Sequence, residues 1–395
     1  MKVLVCHPGT QHAGKLAGIL KKEDLLGSFY TGFRLKPDSV LGRWLRLSGV
    51  RALDESLAEC TKEIWAPELL GKAAQCLGWS GESLMRLRNA WFQRLVPQKA
   101  IASGDAVIGF DTASWILGRR GREMGKPFIL DRAAVHRSTR ASIRASFEIG
   151  DSAGQSPSPV QRGRQDELES DEMALASRIV VASRFTERSL LDAGIPAEKI
   201  AVIPYGVNWD WFAGRPEQGR TAGKLVFLFV GLLKIEKGIG VLLEAWKRLG
   251  ASDAELWLVG SGDPGVIQSA RDSAGVRVIG KLGPDELWNA YHGASVFVFP
   301  TFCDGFGLVL LEAMSSGLPI IATPNCAAPE LVQAGAAGLV VPAGDPAALC
   351  SAMADACANR PAWAARGAAA REIAKAYSWE AYGTRWAALL REVIG

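Results

Sequence analysis

The sequence predicts an α/β protein of two domains, each a mainly parallel sheet wrapped by helices, facing one another across a cleft. Length is the first reason, since 395 residues are long for one hydrophobic core and comfortable for two. The second is alternation: short β-branched and aromatic runs recur with segments of helical spacing between them, which forces parallel pairing and helices on both faces. The third is the glycine-rich turns that follow several of these runs, where the chain must bend from strand to helix.

In chain order, residues 2–6 form an apolar run too short for a signal-peptide core and read as a first buried strand. Further strands are expected at 106–108, 128–130, 179–182 and 200–203. Two stretches break the pattern. Residues 35–100 carry Trp44, Trp65, Trp79 and Trp91 among many arginines and lysines. Residues 150–172 hold Ser-Pro-Ser-Pro and then an acidic run, and read as a mobile loop. A strand ends near Ile203-Pro204-Tyr205-Gly206-Val207, and the chain to about Gly223 is rich in glycine, proline and charge. Strands follow at 225–230, 255–259, 276–279, 296–299, 318–322 and 339–341, with helical spacing at Val241, Leu242, Ala245 and Leu249. The expected division is 1–205 for the first domain, 206–223 for a hinge, 224–378 for the second domain, and 379–395 for a C-terminal helix that crosses back. Ligands of parallel sheets sit beyond the carboxyl ends of the strands, so two facing edges make one deep site.

Composition narrows the classes. Hydrophobic residues at 48% and charged residues at 22% are ordinary for a globular domain, and a net charge of +4 is too small to argue for nucleic acid. Seven scattered cysteines, without a C-x-x-C pair, fit a reducing compartment better than a disulfide framework or a zinc site. No stretch approaches the roughly 20 apolar residues that span a bilayer. A cytoplasmic protein is expected, with any membrane contact peripheral and on the inner face.

The most informative motif is Phe302-Cys303-Asp304-Gly305-Phe306-Gly307-Leu308-Val309-Leu310-Leu311-Glu312. A strand feeds a glycine-rich turn that opens a helix, whose free N–H groups and dipole suit an anion. Glu312 lies about a turn inside an apolar helix, where a carboxylate needs a partner: a ribose with adjacent hydroxyls, or a structural Lys or Arg. In Val230-Gly231-Leu232-Leu233-Lys234-Ile235-Glu236-Lys237-Gly238, a lysine at a helix start opposes the dipole unless an anion lies between them. Lys237 is therefore a candidate diphosphate ligand or a solvated surface lysine.

The turn Val5-Cys6-His7-Pro8-Gly9-Thr10-Gln11-His12-Ala13-Gly14 uses glycine for close approach to a ligand or for steric reasons alone. It makes Gly9 a donor-side candidate, and Thr10 and Gln11 acceptor-side candidates. After another strand end, Asp131-Arg132-Ala133-Ala134-Val135-His136 offers Arg132, either for phosphate or for a salt bridge with Asp131 or Glu148. Gly260-Ser261-Gly262-Asp263-Pro264-Gly265 fits the dinucleotide fingerprint G-x-G-x-x-G, but the next strand ends in Gly280-Lys281 and lacks the required acid.

The 302–312 stretch resembles the E-x7-E signature of family 4 retaining glycosyltransferases, also called glycosyl transferases group 1, which have the GT-B fold of two Rossmann-like domains. The likeness covers most of the chain and is strongest over 179–344. It implies a nucleotide ribose on Glu312, and a donor sugar held by Asp304 with the backbone of Gly305, Phe306, Gly307 and Leu308. Asp304 stands where the family usually has Glu. The 230–238 segment is similar to the family's G-R-L-x-x-x-K-G motif, with Lys237 in place and Leu232 where the Arg belongs; Lys234 is the candidate substitute. His136 resembles the loop histidine that the family directs at the donor sugar, with His7 or His12 as second choice and His292 structural. Gly262 falls in the loop that resembles the family's nucleotide-base loop.

The resemblance implies a UDP-, GDP-, ADP- or dTDP-sugar as co-substrate, a glycan, lipid-linked or small-molecule acceptor, retention of configuration, and no obligatory metal or other cofactor. Two other readings stand beside it: a GT-B-like scaffold or activator without catalysis, and an NAD-dependent oxidoreductase. One further segment, 84–99, carries Leu84, Leu87, Trp91 and Leu95 at helical spacing with Arg86, Arg88, Arg94 and Lys99. Such a basic amphipathic helix can lie on an anionic bilayer or pack its stripe on the domain's own sheet.

Overall fold

The computed structural model describes residues 1–9, 12–32, 55–76, 81–149, 159–213 and 223–395. Its first sheet contains β1 (Val3–His7), β2 (Leu26–Thr31), β3 (Thr61–Glu63), β4 (Ala106–Phe110), β5 (Phe128–Arg132), β6 (Arg178–Val181) and β7 (Ile200–Val202). Their spatial order is β3-β2-β1-β4-β5-β6-β7, and the paired strands run parallel. The second sheet contains β8 (Leu225–Val230), β9 (Ala254–Val259), β10 (Val276–Gly280), β11 (Val296–Phe299), β12 (Ile320–Ala322) and β13 (Gly338–Val340), in the parallel order β10-β9-β8-β11-β12-β13.

Each sheet winds outward in one direction from its first strand and then in the other. The reversal opens a crevice between β1 and β4 in one sheet, and between β8 and β11 in the other. The central strands β1, β4, β5, β8 and β11 are buried along their whole length, as helices on both faces require. β2 and β3 were not expected. β2 alternates buried and exposed residues and β3 is an edge strand, so neither carries a continuous apolar run.

The expected loop at 150–172 is corrected in its second part, since Pro159–Leu175 is a helix; residues 150–158 lie outside the described residues. Its inward face sets the carboxylates of Glu169 and Glu172 beside Met173, which interrupts the apolar periodicity that marks a helix. Glu172, fully buried, accepts from Thr112 N–H (2.8 Å), Ser114 N–H (2.7 Å) and Ser114 Oγ–H (3.2 Å). Burial pushes its carboxyl up to about 8 despite these donors.

Helix Glu82–Leu95 buries a face that is polar as well as apolar. Asn89, Phe92 and Gln93 point inward, while Leu87 is 64% exposed and Met85 and Leu95 are exposed as well. The inward polar groups are satisfied: Gln93 Oε1 accepts the N–H groups of Ile116 (2.7 Å) and Leu117 (3.3 Å) at the start of helix Trp115–Glu123, and Asn89 donates to Thr112 O (2.9 Å). Of the apolar stripe, Leu87 and Leu95 are therefore exposed, whereas Leu84 and Trp91 are half-buried.

The chain passes between the two sheets beside its own return path. Val207 N–H donates to Tyr377 O (2.8 Å), and Val207 forms a parallel bridge with Ser378. Helix Trp379–Ile394 then lies against helix Ala13–Lys22, with Gly383 facing Ile19, and Glu392 pairs with Arg178 of β6 at 2.6 Å.

Candidate active site

The loop after β11 and the loop after β8 meet at the crevice of the second sheet. Gly238 has φ +73°, and a Cβ there would lie 1.9 Å from Pro300 O, so only glycine lets the two loops touch. That contact brings Lys237, the last residue of the one-turn helix Ile235–Lys237, against Asp304: Nζ lies 2.5 Å from Oδ2. The ammonium also sits 5.8 Å from the centroid of the Phe299 ring. Asp304 Oδ1 accepts Phe306 N–H (3.0 Å), and the Asp304 N–H donates to Asn325 O (3.0 Å). Both side chains keep about a quarter of their surface, at 22% and 24%.

Helix Leu308–Ser315 buries Leu310, Leu311, Ala313 and Met314 and leaves Leu308, Val309 and Glu312 half-buried on one face. Tyr291, fully buried, donates its hydroxyl to Glu312 Oε2 at 2.8 Å. Burial, then the charge of Glu312, hold that phenol well above its usual range, so it remains a donor. Leu232, where a cation was expected, is exposed, and Lys234 is half-buried in the same loop. Gly262 and Gly260 have a steric explanation: a Cβ at either would lie 2.0 Å from Leu233 O or 1.8 Å from Gly231 O, where the loops after β8 and β9 pack together. Two of the three fingerprint glycines are thus accounted for without a dinucleotide.

Across the cleft, His7 at the end of β1 accepts Gly9 N–H on Nδ1 (2.9 Å), and burial pulls its pKa down to about 4. Thr10 and Gln11 lie outside the described residues. His12 Nε2 lies 2.8 Å from Asp131 Oδ2. Burial opposes its charge, but Asp131 through its charge and hydrogen bond, with Asp111 behind, raises the imidazole pKa above its usual value. Tyr205 OH approaches His12 Nε2 at 3.5 Å, and Tyr382 of the C-terminal helix donates to Asp131 Oδ2 at 3.5 Å. Tyr205 also meets Phe306 of the second sheet's loop, edge to face at 5.3 Å, so this cluster adjoins Asp304.

His136 caps helix Arg137–Ser146, its Nδ1 accepting Ser138 N–H (3.3 Å), while its own N–H donates to Ser189 Oγ (3.0 Å). Burial, then the charges of Arg132 and Arg137, lower its imidazole pKa below the usual value. His292 stacks on Trp288 at 3.7 Å inside its own helix. Arg132 corrects the expected pairing. It is fully buried and bonds Glu169 at 2.8 Å, not Asp131 or Glu148, which removes it from the cleft surface. Sequence reasoning missed Tyr291, Tyr205, Asp111 and the His12–Asp131 pair. It also missed the Arg144–Glu236 contact at 3.4 Å, which joins the two sides of the cleft.

Two doubly wound parallel sheets with their switch points opposed, and a carboxylate–ammonium pair at one of them, define a two-domain α/β protein of the GT-B type. Residues 224–359 match the model of the family glycosyl transferases group 1. A D-inositol 3-phosphate glycosyltransferase of Streptomyces avermitilis is 30% identical over 298 residues, 67% of this chain and 61% of the relative. A phosphatidyl-myo-inositol mannosyltransferase of Mycobacterium leprae is 33% identical over 195 residues, 45% of this chain and 49% of the relative. The matches therefore span about half to two thirds of these relatives. Among solved structures, HepE of Anabaena in complex with UDP aligns with a TM-score of 0.69 at 16% identity, over 99% of this chain and 100% of that one. The chain belongs to the glycosyl transferases group 1 family and has its GT-B fold. Among the described residues, no helix is long and apolar enough to cross a membrane.

Proposed function

We propose that the protein transfers a sugar from a nucleotide-sugar donor to an acceptor hydroxyl, with retention of anomeric configuration. The observation that carries this reading is the Lys237–Asp304 pair at the crevice of the second sheet, with Glu312 presented from the helix that the same turn opens. Glu312 holds the ribose, with Tyr291 fixing its carboxylate. Asp304 and the backbone of Gly305, Phe306, Gly307 and Leu308 hold the sugar, with His136 directed at it and Gly9 facing it from the first domain.

When diphosphate departs, Lys237 stabilises the growing charge, aided by Lys234 and the helix N-terminus; this is electrostatic preorganisation. The departing phosphate takes the acceptor proton on the same face, so no separate protein base is assigned. The neighbouring folds include one in complex with UDP, and the relatives are named for inositol-based acceptors and for O-antigen chains, so a UDP- or GDP-sugar and a polar or lipid-linked acceptor are the first to test. The proposed location is the cytoplasm, at the inner membrane face, through helix Glu82–Leu95.

The test is thermal shift against UDP, GDP, ADP, dTDP and NADH. At 100 times its dissociation constant a ligand should add about 2.7 kcal/mol of stability. One nucleoside diphosphate should stabilise the protein, and Glu312→Gln should remove that shift while leaving the unliganded melting temperature close to wild type. Stabilisation by NADH alone would reject the reading.

A further inference from the structure

The loop that carries Asp304 is gripped from the other side of the cleft. Ser183 Oγ–H and Thr186 Oγ1–H, from the start of helix Arg184–Leu191 in the first domain, both donate to the Gly305 carbonyl, at 2.6 and 2.9 Å. A carbonyl oxygen has two lone pairs, and these hydroxyls fill both. The approach is tight enough that a Cβ on Gly305 would lie 1.8 Å from Ala133 O, also in the first domain. Beside it, Arg184 N–H donates to Glu330 Oε1 (2.7 Å), so one helix N-terminus of the first domain holds two groups of the second.

The peptide that joins Gly305 to Phe306 is planar, so fixing its oxygen fixes the opposite direction of its N–H. That N–H, on Phe306, is the one that donates to Asp304 Oδ1, and Asp304 Oδ2 is the atom against Lys237. We propose that Ser183 and Thr186 are positioning residues, which orient Asp304 through the single Gly305–Phe306 peptide plane and do so only when the two domains are together. The Asp304 carboxylate then adopts its working orientation on domain closure, rather than on donor binding to the second domain alone. This rests on the donor-site reading above. It adds a residue pair in the first domain that touches neither nucleotide nor sugar.

Closure-dependent alignment separates binding from turnover, because nucleotide contacts lie in the second domain and the aligning hydroxyls in the first. The experiment compares wild type with Thr186→Val, Thr186→Ser and the double variant Ser183→Ala/Thr186→Val. Ser183 also caps its own helix by accepting Thr186 N–H, so Thr186→Val is the variant that leaves the cap in place. Two readouts are taken: hydrolysis of UDP-glucose and GDP-mannose with UDP and GDP affinity, and hydrogen exchange of the peptide covering 302–310.

With Thr186→Val, turnover of the accepted donor should fall roughly 10-fold, with nucleotide affinity unchanged. Thr186→Ser should recover most of it, and the double variant should lose more. Exchange at Phe306 and Gly307 should rise in the same order. Wild-type exchange in 302–310 together with wild-type turnover in the double variant would overturn the proposal, as would equal losses of affinity and turnover. If wild type neither binds a nucleotide nor hydrolyses either donor, the donor-site reading fails, while the exchange measurement still decides whether the hydroxyls hold the loop.

Discussion

His7 and His12 lie five residues apart and titrate in opposite directions, because only one of them has a carboxylate within reach. His7 is buried with a backbone N–H on its ring and is driven neutral, whereas His12 is buried against Asp131 and holds its proton longer. The sign for His12 follows from linkage. Its folded pKa stands above the ordinary 6.5, so its contribution to stability is complete below about 6.5 and is lost as pH rises through the folded pKa. His7 acts the other way, and stability falls as pH drops from 6.5 toward about 4. The destabilisation of His12→Asn relative to wild type, from urea midpoints, should therefore be larger near pH 6 than well above neutrality; equal differences would mean that the pair is not ionised. The chemistry of this pair was hidden from the sequence because its members are 119 positions apart and join only where β1 and β5 end. Asp304, Glu312 and Lys237 stand out in the sequence for the contrary reason: each lies where a strand, a glycine turn and a helix start follow one another locally, Asp304 and Glu312 in one stretch and Lys237 in another, 67 positions from Asp304.

At the scale of elements, periodicity succeeded where a face is apolar and failed where the buried face is polar. The central strands each carry an apolar run that predicts them, while helix Pro159–Leu175 turns Glu169 and Glu172 inward and its polar sequence predicts a loop. Helix Glu82–Leu95 shows the same rule reversed, with Gln93 serving as an inward cap for helix Trp115–Glu123 while Leu87 and Leu95 are left exposed. Trp65 and Leu70 are exposed too, the latter on the neighbouring helix Ala66–Cys76, which packs against Glu82–Leu95. Apolar side chains beside Arg86, Arg94 and Lys99 match an anionic bilayer in both charge and hydrophobicity. The protein should sediment with vesicles containing anionic lipid, less so at high salt, and not with neutral vesicles. Leu87→Glu with Leu95→Glu should abolish sedimentation without lowering stability, because both side chains are exposed. Unaltered sedimentation of that variant would remove this helix from the membrane surface.

The whole molecule depends on how two sheets are joined, and there the sequence placed a hinge without showing its construction. The outgoing chain at Gly206 and Val207 and the returning chain at Tyr377 and Ser378 are hydrogen-bonded, so at this point two paired straps join the domains, while residues 214–222 of the expected hinge lie outside the described residues. At Gly206 the two straps are packed backbone to backbone. A Cβ there would lie 2.6 Å from Trp379 N and 2.7 Å from Ser378 C, and backbone atoms cannot rotate away as a side chain would. The return strap also launches the helix whose Tyr382 reaches Asp131, so parting the straps should loosen the C-terminal helix from the first domain. Gly206→Val is thus expected to cost about 1–3 kcal/mol, the usual range for overpacking. Because the strain falls between the domains and leaves both sheets intact, it should also divide urea unfolding into two transitions, with a single one expected for wild type. Far-ultraviolet circular dichroism should stay native in the absence of urea, and small-angle scattering should report a larger radius of gyration. A single transition at the wild-type midpoint with an unchanged radius would show that the straps tolerate separation, and that the cross-cleft contacts at Gly305, Glu330 and Glu236 hold the domains together without them.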